Sequence, residues 1–575
     1  MDDVKKTVKL TIDGVNVTVP EGTNLIEAAR QVGIEIPYYC YHPHLSVSGN
    51  CRMCQVEVEG MPRLTIGCNT AVKEAMVVKT QHTSDAVAEA QRATLEFILA
   101  NHPLDCTVCD QAGHCKLQDY YYEYSREPSR HQVEKKHKVK ALPLGPDVIF
   151  DGERCILCTR CVRFCDEVTK TSELGIFNRG DSSLVGTYPG VELDNALSGS
   201  VVDLCPVGAL THRQWRFNTR VWFSKWVNTI CTGCSTGCNA KVAVRDGRVV
   251  CVKARPNEDV NLEWMCNEGR YGFERFQPAK RLLSPMLKGK ENCVGFRELV
   301  WSQANALASR LASGDGQDAS RSAVFLSPFL TLEEVCIALE FAKVVMGVSP
   351  KGPNIAMQLR QRDLTEEEKI LISPDRAPNA SSALLFGIGG LSSKVNWRDA
   401  LEKSYQNLLN SVRTGQISKV LLVGDAAISD QDVDNSLTSA MCRAAVSVAI
   451  TSRGIEDSEG AHFYCDLVLP TRTVNEKSGV MLNKDLRFQR LNSLLLAPAT
   501  TKPEWQILGE IAAAAGRIIL PDEVVDDRLL FRFIISEIDA LSALSLSRIG
   551  ESGLSLESLR TNRCSSSNES LASDR

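Results

Sequence analysis

The first eighty residues combine two alternating segments with one helical pattern. Apolar and polar positions alternate in "TVKLTID" and again in "VNVTVP", and Asp13-Gly14 separates the two segments. Alternation of this kind is typical of half-buried strands, so the segments predict a β-hairpin. The next segment, "EGTNLIEAARQVG", instead predicts a short helix. Its apolar side is formed by Leu25, Ile26, Ala29 and Val32.

Two more elements are predicted farther along the chain. "SDAVAEAQRATLEFILANHP" indicates a helix with Ser84 as its N-cap and an end before Pro103. "NAKVAVRDGRVVCVKARPNED" indicates two strands joined at Asp246-Gly247. We expect Cys251, inside the second strand, to be a packing residue.

From about residue 281 the pattern changes to short apolar runs between glycine-rich or polar loops and helical segments. The runs are "AVFLS", "ALLFGIGG", "KVLLVGDAA" and "AVSVAIT". This order predicts a doubly wound parallel sheet. "FGIGG" is a weak nucleotide-binding signal, and we expect a strand ending in a tight turn there. The segment around Cys336, "TLEEVCIALEFAKVVMG", predicts an amphipathic helix. Residues 545–575 are rich in Ser and poor in apolar residues, which predicts a disordered tail.

Composition narrows the class of protein. The chain has 575 residues, 43% hydrophobic and 23% charged, and a formal net charge of −5. These values are ordinary for a globular protein, and nucleic acid is not indicated as a partner. We expect no membrane-spanning helix and no signal peptide, because no long apolar run occurs and the first residues lack a signal pattern.

The cysteines change the picture most. There are 22, and 17 of them lie between Cys40 and Cys266. A disulfide framework is the simplest alternative, but disulfide-dense chains are small and secreted. Thiols spaced two or three residues apart more often share a metal. The sequence therefore predicts metal centres, and the ligands fall into four sets.

The first set is Cys40, Cys51, Cys54 and Cys68, with gaps of ten, two and thirteen residues. One thiol, a close pair and a distant fourth resemble a [2Fe–2S] ferredoxin domain, although the first gap is longer than in the plant type. A structural zinc site remains the alternative. Zinc favours two close pairs, and here only one pair is close.

The second set is His102, Cys106, Cys109 and Cys115, with gaps of three, two and five residues. Three thiolates leave a [4Fe–4S] cluster one ligand short, and a neutral imidazole can complete it. The alternative is that His102 only ends its helix and that His114 or another group is the ligand. The spacing resembles the one-histidine-three-cysteine motif of respiratory and hydrogenase subunits.

The third set opens at "CILCTRCVRFC" with Cys155, Cys158 and Cys161. Cys165 completes the spacing of a bacterial ferredoxin, but in that pattern the last cysteine serves a second cluster and precedes Pro. Here Asp166 follows Cys165, and ligands for a second cluster are lacking. Cys205, which precedes Pro206, is the simplest fourth ligand of one [4Fe–4S] cluster. Cys165 is then a spare buried thiol.

The fourth set is Cys231, Cys234, Cys238 and Cys266. The predicted hairpin between Cys238 and Cys266 would return the distant cysteine to the first three. The spacing resembles the [4Fe–4S] domain at the start of molybdopterin oxidoreductases.

In this order the four sets resemble the large iron–sulfur subunits, of the 75 kDa type, of bacterial NADH-quinone oxidoreductase, the respiratory complex I. The resemblance extends over roughly residues 1–520 and is most specific in the first 270. It implies a multidomain fold of α+β and α/β domains with one [2Fe–2S] and three [4Fe–4S] clusters. The implied domains are a ferredoxin-like β-grasp domain at 1–80, the one-histidine-three-cysteine module at 81–120, a ferredoxin-like module at 140–220, a molybdopterin-type [4Fe–4S] domain at 224–280 and an inactive molybdopterin-oxidoreductase-like domain at 281–520.

The resemblance also implies a function. The chain would pass single electrons from a flavoprotein that oxidises NADH with FMN, through the first, third and second sets, to another iron–sulfur subunit and then to the quinone site. In the family, the fourth set is not part of this electron-transfer path. No nucleotide-binding fingerprint and no catalytic residue is found on the chain. We expect no molybdenum, a membrane link only through the complex, and a location on the cytoplasmic face of the bacterial inner membrane.

Two other functions remain open. The chain could be the electron-transfer subunit of an NAD-linked hydrogenase or formate dehydrogenase, because these proteins share the first three sets. It could also be a structural scaffold whose cysteines bind zinc.

Overall fold

The computed structural model describes residues 6–125, 128–276, 280–289, 295–313, 319–359, 361–391, 396–425, 435–455 and 460–559. The chain forms two compact units, Met1–Ser224 and Lys225–Arg575. No helix among the described residues is long and apolar enough to cross a membrane.

The first unit contains five helices and ten strands among its described residues. The helices are α1 (Leu25–Gln31), α2 (Asp85–Asn101), α3 (Lys116–Tyr124), α4 (Arg160–Phe164) and α5 (Ser200–Leu204). The strands are β1 (Thr7–Ile12), β2 (Val15–Pro20), β3 (Gln55–Val58), β4 (Thr65–Ile66), β5 (Met76–Lys79), β6 (Leu142–Pro143), β7 (Val148–Phe150), β8 (Leu174–Phe177), β9 (Leu184–Thr187) and β10 (Leu210–His212).

The N-terminal sheet confirms the predicted hairpin and helix. Strands β1 and β2 pair antiparallel around Asp13-Gly14, and the sheet order is β2-β1-β5-β3-β4. Helix α1 begins at the N-cap Asn24, whose side chain accepts a hydrogen bond from the Glu27 amide. Its Leu25 and Ile26 pack in one core with Cys54 and Cys68.

The rest of the first unit consists of short elements around the second and third sets. Helix α2 begins at the predicted N-cap Ser84 and has His102 as its C-cap. The remaining strands form one three-stranded sheet, β10-β7-β6, and the pair β8-β9. Helix α4 continues into a π-helical turn, Cys165–Thr169, a feature that is frequent at functional sites.

The second unit contains nine helices and thirteen strands among its described residues. The helices are α6 (Asn267–Tyr271), α7 (Trp301–Ala312), α8 (Leu332–Val344), α9 (Ser381–Phe386), α10 (Trp397–Arg413), α11 (Asn435–Met441), α12 (Glu504–Ala514), α13 (Asp527–Glu537) and α14 (Leu546–Ile549). The strands are β11 (Lys225–Ile230), β12 (Asn239–Arg245), β13 (Arg248–Ala254), β14 (Met286–Lys288), β15 (Phe296–Glu298), β16 (Ser322–Leu326), β17 (Ile355–Met357), β18 (Lys419–Val423), β19 (Val446–Thr451), β20 (Leu467–Pro470), β21 (Gly479–Leu482), β22 (Arg487–Leu491) and β23 (Leu554–Ser555).

The predicted doubly wound sheet is confirmed in the second unit. Seven strands lie in the order β15-β14-β20-β19-β18-β16-β17, and the five from β20 to β17 are parallel. Alternate residues of β16 enter different cores: Val324 and Leu326 pack with α7, α8 and α12 on one face, whereas Ala323 and Phe325 pack with α10 and α11 on the other. A separate antiparallel sheet, β11-β12-β13, contains the predicted hairpin at Asp246-Gly247, with Cys251 inside β13.

Three predictions about the second unit are wrong. "ALLFGIGG" is not a strand with a turn: residues 381–386 form α9, which ends because Gly387 adopts the left-handed conformation that caps helices. Helix α8 is not amphipathic, because it is buried nearly all round. The tail does not begin at 545, because Ile549 and Leu559 are buried in the core and β23 pairs with β22. Residues 560–575 of the predicted tail lie outside the described residues.

The buried helix α8 carries two carboxyl groups into the core of the second unit. Lys477 Nζ lies 3.2 Å from Glu334 Oε2 and also donates to Glu504. Glu333 Oε2 accepts a hydrogen bond from the Val480 amide at 3.1 Å, and its Oε1 has no partner among the described residues. Burial raises the pKa of Glu333 from 4.5 to about 8.

Replacing Glu333 with Gln should flatten the pH dependence of folding. The folded chain holds a proton on Glu333 that the unfolded chain releases, so this group favours folding fully below pH 4.5 and progressively less as the pH rises to about 8. We expect the loss of thermal midpoint between pH 6 and pH 8.5 to be smaller in Glu333→Gln, measured by circular dichroism. The control is Glu340→Gln on the exposed side of α8, where Glu340 pairs with Lys343. An equal loss in wild type and Glu333→Gln would contradict the prediction.

Candidate iron–sulfur centres

The first set lies in the core of the N-terminal sheet domain. Cys40, Cys54 and Cys68 are almost fully buried, and Cys68 lies in the 3₁₀ turn Gly67–Asn69. The thiols hydrogen bond to one another: Cys40 with Cys51 and Cys68, and Cys54 with Cys68. The bond with Cys51 lowers the pKa of the Cys40 thiol, and the bond with Cys40 raises that of Cys68. Four converging thiols fit the ligand set of a [2Fe–2S] cluster.

His102 is presented to the second set by the C-terminal end of α2. Its Nδ1 atom is buried and has no hydrogen-bond partner among the described residues. Burial lowers the pKa of His102 to about 4, so the ring is neutral and has a lone pair available for a metal. The alternative ligand, His114, has its Nε2 within 2.8 Å of Gln111 Oε1, and its Nδ1 is buried as well. His102 has the burial and the neutral ring that a fourth ligand needs, and it stays the predicted ligand.

The three thiols of the second set follow one another around a short loop. Cys106 opens the 3₁₀ turn Cys106–Val108 and is exposed, Cys109 ends that turn, and Cys115 precedes α3. Burial raises the pKa of Cys115 to about 11, and the nearby Cys109 and Cys106 thiols add to this effect. The three thiols are therefore close enough to interact, as ligands of one cluster must be.

The loop of the third set has an unusual backbone. Leu157 and Thr159 adopt positive φ angles of 54° and 63°, a conformation that costs energy in residues other than glycine and clusters at functional sites. The curvature brings the thiols together: burial, and then the neighbouring thiols Cys158, Cys155, Cys205 and Cys165, raise the pKa of Cys161. The distant Cys205 therefore lies with the three cysteines of the loop.

Cys165 lies in the π-helical turn and is fully buried. Burial raises the pKa of its thiol, and the Glu173 carboxylate acts in the same direction through its charge and a hydrogen bond. Cys165 thus contacts Glu173, which supports its assignment as a spare thiol.

The fourth set surrounds a small pocket. All four thiols line it, together with Leu371, Ile372, Arg376 and several glycines. Four thiols around one pocket fit the ligand set of a [4Fe–4S] cluster.

Backbone amides point at the thiols of the fourth set. The Gly233 amide donates to Cys231 Sγ at 3.4 Å, and the Gly269 amide donates to Cys266 Sγ at 3.3 Å. A side chain at Gly269 would lie 3.0 Å from Cys231 Sγ. Glycine is therefore needed where the backbone approaches the thiols, and hydrogen bonds to sulfur are one means by which proteins tune a cluster.

Two arginines of α4 join the first set to the third. Arg163 Nη2 donates to the carbonyl of Cys40 at 2.6 Å and to that of Cys158 at 3.3 Å. Arg160 Nη1 donates to the carbonyl of Leu204 at 3.2 Å, directly before Cys205, and its Nη2 donates to the Tyr41 carbonyl. The two ligand loops are therefore fixed against each other.

The loop after Cys205 joins the third set to the second. Cys115 Sγ lies 3.9 Å from the carbonyl oxygen of Pro206. A Cβ atom at Gly208 would overlap Cys109 Sγ, so only glycine fits there. Ligands of the second and third sets are thus separated by one short loop.

The arginines and glycines that position the ligand loops were not predicted from the sequence. Arg160 and Arg163 lie between and after the cysteines of "CTRCVRFC", and cations beside metal ligands are a signal that could have found them. Gly208 and Gly269 carry no such signal, because a glycine that makes room for a thiol is recognised only from the fold.

Five family models match separate parts of the chain. They are a 2Fe-2S iron-sulfur cluster binding domain at residues 5–83, the NADH-ubiquinone oxidoreductase-G iron-sulfur binding region at 91–130, the ferredoxin-like domain of NADH-quinone oxidoreductase subunit 3 at 145–211, the molybdopterin oxidoreductase Fe4S4 domain at 224–277 and molybdopterin oxidoreductase at 398–514. Their order is the order predicted from the sequence.

Curated relatives agree with the models. The G subunit of NADH-quinone oxidoreductase from Streptomyces coelicolor is 38% identical over 342 residues, which is 60% of this chain and 40% of that protein. The mitochondrial NADH-ubiquinone oxidoreductase 78 kDa subunit of Candida albicans is 39% identical over 52% of this chain and 41% of its own length. The chain thus spans about two-fifths of the length of these relatives.

A solved NAD+-reducing [NiFe]-hydrogenase is also similar. It is 29% identical, with a TM-score of 0.33, and the match covers 37% of this chain and 91% of the hydrogenase chain.

The folds, the thiol sets and the matched models define an iron–sulfur protein with a region similar to molybdopterin oxidoreductases. More particularly, the chain is similar to the G subunit of NADH-quinone oxidoreductase and to the 78 kDa subunit of NADH-ubiquinone oxidoreductase, along the region that it shares with these relatives.

Cys205 and Cys165 should differ in their effect on bound iron. We expect Cys205→Ala to lose or convert the third cluster, because it removes a ligand, with a loss of up to about four iron atoms per chain. Cys165→Ala should keep the full iron content, because its thiol contacts Glu173. Iron analysis and electron paramagnetic resonance (EPR) of the anaerobic proteins measure both. A lost signal in Cys165→Ala would overturn the assignment.

His102→Cys should retain a cluster and lower its reduction potential. A fourth thiolate adds one negative charge, which disfavours the reduced state. A redox titration followed by EPR measures the shift, and His114→Ala is the control that should leave the potential unchanged. An unchanged potential in His102→Cys, or a shift in the control alone, would exclude His102 as the ligand.

Proposed function

We propose that this chain is the iron–sulfur relay of an NADH-quinone oxidoreductase. It would pass single electrons from a partner that oxidises NADH with FMN towards quinone. The observation that carries the proposal is the continuity of the first three sets, which are joined by Arg160 and Arg163 on one side and by the loop after Cys205 on the other.

The four sets would hold one [2Fe–2S] and three [4Fe–4S] clusters. When bound, such groups supply one-electron oxidation and reduction. The residues then determine the route: the contacts between the sets favour transfer from the first set through the third to the second. The exposed Cys106 makes the second set the natural point of exit to another iron–sulfur subunit.

The fourth set would serve mainly stability. Its thiols come from residues 231–238 and from Cys266, on either side of the hairpin formed by β12 and β13. A group bound by all four would tie these segments together, and its binding free energy would count as folding free energy.

The sheet of the second unit would be a scaffold without molybdenum. Cys336, a cysteine of α8 whose thiol could bind a metal, packs among apolar side chains in the core. His462 Nε2 lies 3.1 Å from the carbonyl oxygen of Gly454. Both side chains are thus accounted for by packing and hydrogen bonding.

The partners would be the flavoprotein subunit and the other iron–sulfur and quinone-site subunits of the complex. The chain would act as a redox subunit of the enzyme without a substrate-binding site of its own. Its place would be the peripheral arm, on the cytoplasmic face of the bacterial inner membrane, with contact to the membrane only through the complex.

Metal content and reduction by NADH test this proposal. The anaerobically purified chain should contain about 14 iron atoms, with matching sulfide and without stoichiometric zinc or molybdenum. NADH alone should leave it oxidised, and NADH with the flavoprotein subunit should reduce it, as followed by EPR.

Three results would contradict the proposal. Zinc in place of iron would indicate a scaffold, and stoichiometric molybdenum would indicate a catalytic oxidoreductase. Failure of NADH with the flavoprotein subunit to reduce an iron-replete chain would exclude the relay.

A further inference from the structure

Arg154 is a buried arginine that precedes the third set but faces the second. It lies directly before Cys155 in sequence and is only 4% exposed. Its Nε atom lies 3.1 Å from Asp105 Oδ2, and its Nη2 atom donates to the same oxygen at 2.7 Å. Nη2 also lies 3.4 Å from the carbonyl oxygen of Val108. The guanidinium is thus held in the segment that carries Cys106 and Cys109.

One nitrogen of this guanidinium has no acceptor. Nη1 is buried, and no described protein atom accepts a hydrogen bond from it. A buried donor of a charged group that lacks a partner is costly. A missing acceptor is therefore expected beside Nη1.

The second set lies close to the Arg154 side chain. A Cβ atom built on Gly208 would overlap Cys109 Sγ and lie 3.7 Å from Arg154 Cδ, so the two side chains occupy the same small region.

The remaining charges around Arg154 hold it in place. Asp151 Oδ2 lies 3.4 Å from Nε, on the same side as Asp105. Lys140 Nζ lies 3.3 Å from Asp105 and 2.8 Å from Glu153, at the exposed edge of this network. The acidic groups thus engage Nε and Nη2 and leave Nη1 as the donor directed elsewhere.

We propose that Arg154 Nη1 donates a hydrogen bond to a sulfur of the cluster held by the second set and thereby raises its reduction potential. This inference rests on the proposed function. The sulfur is either the Cys109 thiolate or a sulfide of the cluster, and both are acceptors. Reduction adds a negative charge, and a donor that carries a positive charge stabilises the reduced form more than the oxidised form.

The test compares three variants in the anaerobically purified full chain. Arg154→Gln removes the charge and the planar set of guanidinium donors, whereas Arg154→Lys keeps the charge and loses those donors. Lys140→Gln is the matched control, because it removes the same charge from the same network at its exposed edge. A redox titration followed by EPR gives the potential of the second-set cluster, and labelling with ¹⁵N-arginine lets pulsed EPR detect a guanidinium nitrogen beside it.

We expect Arg154→Gln to lower the potential more than Lys140→Gln does, and Arg154→Lys to recover only part of the shift. The ¹⁵N coupling should be present in wild type and Lys140→Gln and lost in both Arg154 variants. If Arg154→Gln loses the cluster, the potential measured in Arg154→Lys and the ¹⁵N coupling of the wild type test the inference instead.

Two results overturn the inference. These are equal shifts in Arg154→Gln and Lys140→Gln, or an iron-replete wild type without ¹⁵N coupling. A wild type that lacks the second cluster altogether would instead contradict the proposed function, so the two failures are distinguishable.

Discussion

Hydrogen bonds from arginine side chains to backbone carbonyls hold the first unit together around its thiols. A guanidinium presents several donors in a fixed plane and cannot be deprotonated in proteins, so it can join two segments that have no regular secondary structure in common. Arg163 does this between the carbonyls of Cys40 and Cys158. Because the ligand loops are short and irregular, such contacts replace the strand pairing that positions side chains elsewhere in the chain.

This arrangement explains how the spacing between ligand sets is maintained. The first, third and fourth sets are each closed by a cysteine distant in sequence, such as Cys68 or Cys205, so their loops depend on tertiary contacts for their shape. The backbone packs tightly at Gly208, since even a methyl group there would overlap Cys109. The distance between the second and third sets is therefore determined by packing of the backbone.

Much of the architecture could be predicted from the sequence. The hairpin at Asp13-Gly14, helix α2 with its N-cap Ser84 and the parallel sheet all follow from local periodicity and turn residues. The grouping of ligands followed from spacing, because residues two or three apart are close in any fold. The prediction that Cys205 is a ligand followed only from counting the ligands that one [4Fe–4S] cluster needs.

The errors have physical causes. "ALLF" is an apolar run like those of the neighbouring strands, but Ala and Leu are strong helix formers, and Gly387 in the left-handed conformation caps the segment as a helix. Helix α8 carries Glu333 and Glu334 among its apolar residues, yet Lys477 and the Val480 amide each engage one of these carboxyl groups inside the core. The arginines that connect the sets were missed because a sequence does not show which backbone carbonyl oxygens a side chain binds.

The exposure of Cys106 has a consequence for the lifetime of the protein in air. Among the thiols of the second set, Cys106 is exposed, whereas Cys109 is buried. Oxidants and chelators reach an accessible thiolate before a covered one. We therefore expect damage by oxygen to begin at this corner of the molecule, and a subunit that covers Cys106 would act as a shield as well as an electron acceptor.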